Sequence, residues 1–110
     1  MTRDDIDQIC KAFAGAVAAD PKTELDSWKV GGKMFACFGE RLAGVSVKTD
    51  SIETASMLID AGIATKAPYF HRSWVLISFD AATDEIEHRL RTSYEIILKA
   101  LPKKLRPDQS

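Results

Sequence analysis

The side chains best suited to chemistry in this sequence are three aromatic residues, Trp28, Phe35 and Trp74, and three cations, Lys33, Lys48 and Arg72. Rings stack on nucleobases, and ammonium or guanidinium groups pair with phosphates, so such a mixture on one surface suits nucleic acid. The same rings would serve a dimer or partner interface, or a second small core beneath residues 63–73, because aromatic stripes most often pack. Enzyme readings find less support. His71 and His88 lack a helical histidine pair or a cysteine cluster, and neither a G-x-S-x-G elbow nor a P-loop occurs. His88, between Glu87 and Arg89, reads as a solvated helix face, while His71 sits beside Arg72 in a connector where ligand contacts tend to gather. Asp4, Asp5 and Asp7 offer hard oxygen ligands to a divalent or ferrous ion, but acids in a first helical turn are equally explained by the helix dipole. The expectation is a binding protein with no catalytic residue and no cofactor.

Two runs of strand-favouring residues flank Gly31-Gly32, a pair suited to the positive φ angles of a two-residue hairpin. The spacing predicts strands over about 24–30, 33–38 and 41–48, with Gly39-Glu40 as the second turn. In that register Trp28 faces Phe35, Phe38 faces Arg41 and Ala36 faces Ala43. Alternation then puts Leu25, Met34, Ala36, Phe38, Ala43, Val45 and Val47 on the core face. It puts Trp28, Val30, Lys33, Phe35, Cys37, Leu42, Ser46 and Lys48 on the other.

Ile6, Ile9, Cys10, Phe13 and Val17 recur at helical spacing after the capping signal Thr2-Arg3-Asp4-Asp5, predicting a helix to about Ala19 that Asp20-Pro21 ends. A second helix follows a cap at Asp50-Ser51 and stops at Gly62; a strand spans 74–79; a third helix spans about 84–101, stopped by Pro102. Val45, Val47, Val75, Ile77 and Phe79 should meet Ile9, Phe13, Tyr94 and Ile97 across the core. The order α-β-β-β-α-β-α is an α+β two-layer sandwich, an antiparallel sheet with helices on one face. We read 1–102 as a single α+β domain and 103–110 as a basic, mobile C-terminal tail.

At 110 residues the chain is long enough for one core, and no apolar run approaches a membrane span. Arg3, Asp4, Asp5 and Asp7 stand where a signal peptide would need an apolar segment, which predicts the cytoplasm. Cys10 and Cys37 read as free, buried thiols. The net charge of −1 argues against a strongly basic nucleic-acid binder, though Lys103, Lys104 and Arg106 gather at the C-terminus.

Residues 28–36, Val45-Ser46-Val47-Lys48, the connector from Ala67-Pro68-Tyr69 to Trp74-Val75, and Ser93-Tyr94 leading to Leu101-Pro102-Lys103-Lys104 together resemble the MmcQ/YjbR family over most of the chain. The resemblance implies a fold like that of the frataxin homologue CyaY and a DNA-binding role through a double-wing motif. Position by position it points to Lys29, Lys33, Lys48, Lys103 and Lys104. The expected activity is nucleic-acid binding, DNA first, through Lys33, Lys48 and Arg72 on phosphate and Trp28 and Trp74 in stacking. A protein partner or second copy on the same face, and a CyaY-like metal binder, are the alternatives. Neither a membrane nor a small-molecule substrate is implied.

Overall fold

The structure, a computed structural model, describes residues 1–39 and 43–107. Among the described residues three α-helices, α1 (Arg3–Lys11), α2 (Ile52–Asp60) and α3 (Thr83–Ala100), accompany six strands: β1 (Val17–Ala18), β2 (Ser27–Val30), β3 (Lys33–Phe38), β4 (Gly44–Lys48), β5 (Thr65–Lys66) and β6 (Trp74–Ser78). The strands form one antiparallel sheet in the order β1-β2-β3-β4-β6-β5, an α+β architecture. No helix among the described residues is long and apolar enough to cross a membrane.

Local signals set most element ends. Thr2 accepts from the Asp5 amide while the Asp5 carboxylate accepts from the Thr2 amide, a reciprocal cap that starts α1. Ser51 caps α2 from one side only, through the Thr54 amide, and Gly62, at φ +76°, follows its end. α1 stops at Lys11, well short of Ala19. Its alanine-rich continuation is diverted at Gly15, φ +74°, so that Val17 and Ala18 pair with Lys29 and Trp28 at the sheet edge. Strand pairing outweighs helix propensity there.

The Gly31-Gly32 hairpin has both glycines at positive φ and Val30 opposite Lys33, as the spacing predicts. Beyond it the register departs. Trp28 pairs with Ala36 but Lys29 pairs with Met34, so Phe35 is the extra residue of a β-bulge. The bulge turns Phe35 to the same side as Ala36, against Phe13, just beyond α1, and Tyr94 of α3, at ring separations of 5.9 and 5.4 Å. Phe38 pairs with Val45 and Ala36 with Val47, four residues from the expected partners. An even shift preserves facing, so Ala36, Phe38, Val45 and Val47 still share the core face, with Val75 and Ile77. Glu40, Arg41 and Leu42, part of the expected turn and third strand, lie outside the described residues.

The core therefore lies between the sheet and helices α1 and α3, and one cluster also takes in Ala55 and Leu58 of α2. Phe79, Ile9 and Ile97 pack on its margin. Cys10 and Cys37 are free and buried; burial, with Asp7 nearby, pushes the Cys10 thiol up to about 12, and burial raises Cys37 as well. Residues 103–107 do not trail away. A 3-10 turn at Lys103–Leu105 packs over the Gly31 hairpin, and Pro107 lies against Gly15.

Candidate nucleic-acid interface

Strand direction decides which side chains meet. Lys33 begins β3 and Lys48 ends β4, its antiparallel neighbour; Trp74 begins β6 opposite Lys48, and Lys66 ends β5 beside Val75. All four stand at one end of the sheet. The C-terminal half of α3 reaches the same end, because Ser93 bonds to Lys48 and Leu101 packs on Gly31. That brings Lys103 and Lys104, both exposed, beside the hairpin that carries Lys33. Residues 67–73, the hairpin loop between β5 and β6, add Arg72 and His71, also exposed.

Hydrogen bonds hold the centre of this end. The Lys48 ammonium donates to Ser73 Oγ at 2.7 Å, and Ser73 Oγ lies 2.9 Å from His71 Nδ1. The Ser73 amide also donates to Nδ1 at 3.1 Å, a bond that suits the tautomer with its proton on Nε2. The Ser73 carbonyl accepts from both the amide and the hydroxyl of Thr49, which fixes the loop to the end of β4. Trp74, half-buried on the face away from α1 and α3, stacks with Phe70 at a 4.7 Å centroid separation. Lys48 keeps further N–H donors for an anion, and His71 Nε2 is one more.

Acidic residues collect at the opposite end. Asp26 precedes β2, Asp80 follows β6, and Asp4, Asp5, Asp84 and Glu85 open α1 and α3. The cations named above thus stand apart from these acids, although Arg3 pairs with Asp7 and Asp26 at the acidic end and Asp50 follows Lys48 at the basic one. Asp50 and Glu53 at the start of α2 are the acids that follow Lys48 most closely in sequence.

Two expected contacts are not available. Trp28 is 8% exposed on the core side, its Nε1 donating to Asp7 at 2.9 Å, because the bulge places it with Ala36 beneath α1. Phe35 is fully buried for the same reason. Lys29, one residue from the hairpin end of β2, is half-buried and ion-paired with Glu24. The first-turn acids have separate tasks: Asp5 caps α1, and Asp7 accepts from Arg3 and Trp28. Among the described residues no three His, Cys, Asp or Glu side chains are grouped to hold a metal. A cleft of about 890 Å³ runs along α3 from Asp84 to Lys99 beside residues 9–14, lined by Phe13, Glu87, His88, Arg91 and Tyr94 among others, and mixes both charges.

Lys66, Tyr69 and Phe70 join this end without having been singled out from the sequence. The aromatic and basic run Pro68-Tyr69-Phe70-His71-Arg72 was the available signal, legible only once residues 65–66 and 74–75 are seen to pair.

The YjbR family model matches residues 11–96, most of the chain and both hairpins. The chain belongs to the YjbR family. Among solved structures, this YjbR protein is similar to the Deinococcus radiodurans protein DR2400, whose crystal structure carries the domain DUF419. The TM-score is 0.80 at 22% identity over 94% of this chain and 84% of that one, a likeness of fold. No curated protein matches the chain.

Proposed function

We propose that this YjbR protein is a small nucleic-acid-binding protein, with DNA the leading ligand, and not an enzyme. The observation that carries the reading is the convergence of Lys33, Lys48, Lys66, Arg72, Lys103 and Lys104 at one end of a chain whose net charge is −1. Cations on separate elements gain nothing for the fold by meeting, since like charges repel. A polyanion repays the arrangement. Lys48 and His71 are oriented through Ser73, and Trp74 with Phe70 forms an aromatic floor beside them.

The first prediction is a salt dependence. With about three to five phosphates engaged, log affinity should fall against log salt with a slope of roughly −2 to −5. Lys33→Ala with Lys48→Ala should flatten that slope by somewhat under one unit per lysine and weaken all sequences alike. Fluorescence anisotropy on labelled strands, from low to moderate salt, measures both. Absence of binding at low salt, or binding indifferent to the lysine pair, rejects the reading in favour of a protein partner or a second copy.

A further inference from the structure

The loop between β5 and β6 begins with a turn that its sequence does not favour. Phe70 N–H bonds to Ala67 O across Pro68-Tyr69, with proline second and a positive φ third, the geometry of a type II turn. That third position calls for glycine or asparagine. Here it holds Tyr69 at φ +69°, the one non-glycine residue with positive φ among the described residues. The residue is fully exposed, at 105% of the reference area, so packing does not offset the backbone strain. Nor is the segment a loose tip. Ala67 is buried before it, Phe70 stacks on Trp74 after it, and Ser73 is tied to Thr49. The fold thus holds an aromatic ring outward on a fixed base, between Lys66 and Arg72.

We propose that Tyr69 stacks on an unpaired nucleobase, and that the ligand of this end is single-stranded nucleic acid. The proposal rests on the nucleic-acid reading above and specifies its ligand. In a duplex the faces of the bases are taken by their neighbours; in a single strand they are free to meet a ring. Flanking cations then hold the phosphates on either side of the stacked base.

The test compares a labelled oligothymidine with a duplex of equal length, by anisotropy at low salt. Tyr69→Ala should weaken single-strand binding by roughly 5- to 150-fold, the range for losing one base stack. Duplex binding and the salt slope should hold, and Tyr69→Phe should restore affinity. Tyr69→Gly separates recognition from folding: it relieves the positive φ, so it should melt no lower than the parent while still losing single-strand affinity. If all three variants bind oligothymidine like the parent while the lysine pair weakens it, the tyrosine proposal fails and the nucleic-acid reading stands. If the parent binds neither strand form, the nucleic-acid reading fails and this proposal with it. A parent that dimerises in sedimentation, with Tyr69→Ala monomeric and oligothymidine binding unchanged, makes the ring a protein contact and overturns the proposal.

Discussion

Ser93 shows how much one hydroxyl can carry. The bulge at Phe35 lies in the ladder between β2 and β3, and the ladder between β3 and β4 starts only at Ala36 and Val47, so the Phe35 carbonyl and the Lys48 amide just beyond it need another partner. Ser93 donates to Phe35 O at 2.6 Å and accepts from the Lys48 amide at 2.9 Å, answering both groups from α3. Ser93→Ala should therefore destabilise the domain by about 2–4 kcal/mol, more than one ordinary hydrogen bond, because two buried groups lose their partner. Urea denaturation measures it; a loss under about 1 kcal/mol would mean that water replaces the hydroxyl. From sequence Ser93 is one more polar residue on a helix, and nothing in its spacing announces the bulge it serves. Trp28 was misread for the same cause. Alternation sorts a strand correctly only while every residue has a partner.

At the scale of elements, the Gly31-Gly32 hairpin separates two uses of glycine. Both residues need positive φ, but a methyl at Gly31 would stand 2.5 Å from Leu101 Cδ1, whereas Gly32 has nothing within 4 Å. Gly32→Ala should cost about 1–2 kcal/mol of backbone strain. Gly31→Ala should cost at least about 1 kcal/mol more, by forcing Leu101 and the turn at 103–105 off the hairpin. Thermal melts of the two variants check the order, and equal losses would contradict the packing. α1 is tied down differently. The Arg3 guanidinium meets both Asp26 oxygens at 2.8 Å and lies over the Phe38 ring, which holds the Asp26 carboxyl below its usual range. A depressed carboxylate contributes stability above its unfolded value, near 4, and loses it as pH falls through the folded one. Asp26→Asn should thus cost about 0.5–1 kcal/mol at neutral pH, discounted because the pair is partly exposed, with the gap closing below about pH 4. A gap that persists in acid would assign the cost to something other than charge. The hairpin, the caps of α1 and α2 and the core positions Ala36, Phe38, Val45 and Val47 were legible because each is a local pattern. Leu25 and Ala43, expected on the core face, are exposed, and Trp28, Val30 and Phe35 join the core instead. The early end of α1 and the strands β1 and β5 were not, since two-residue strands exist only through their partners.

At the scale of the whole molecule, charge follows topology. Antiparallel strands bring the start of one to the end of the next, so residues far apart in sequence share an end. Five of the eight expected contact residues, Lys33, Lys48, Trp74, Lys103 and Lys104, meet there through strand order and the course of α3, and Arg72 joins through its loop. Composition alone hides this, because it sums both ends to −1. For a polyanion the end that gathers these cations would be the favoured side of approach.

The two outermost strands have a consequence of their own. β1 and β5 are each two residues long, and β5 pairs with only Val75 and Leu76 of β6, so each outermost strand presents a very short row of open backbone donors and acceptors, one of them carrying Lys66. Another chain adding a strand there would find almost no template, and a charge to push aside on one rim. The long strands able to seed a fibril, β3 and β4, lie inside the sheet with both sides occupied. Fibrillation would then have to begin in a molecule that has first shed an outer strand, which ties resistance to amyloid growth to the brevity of its edges.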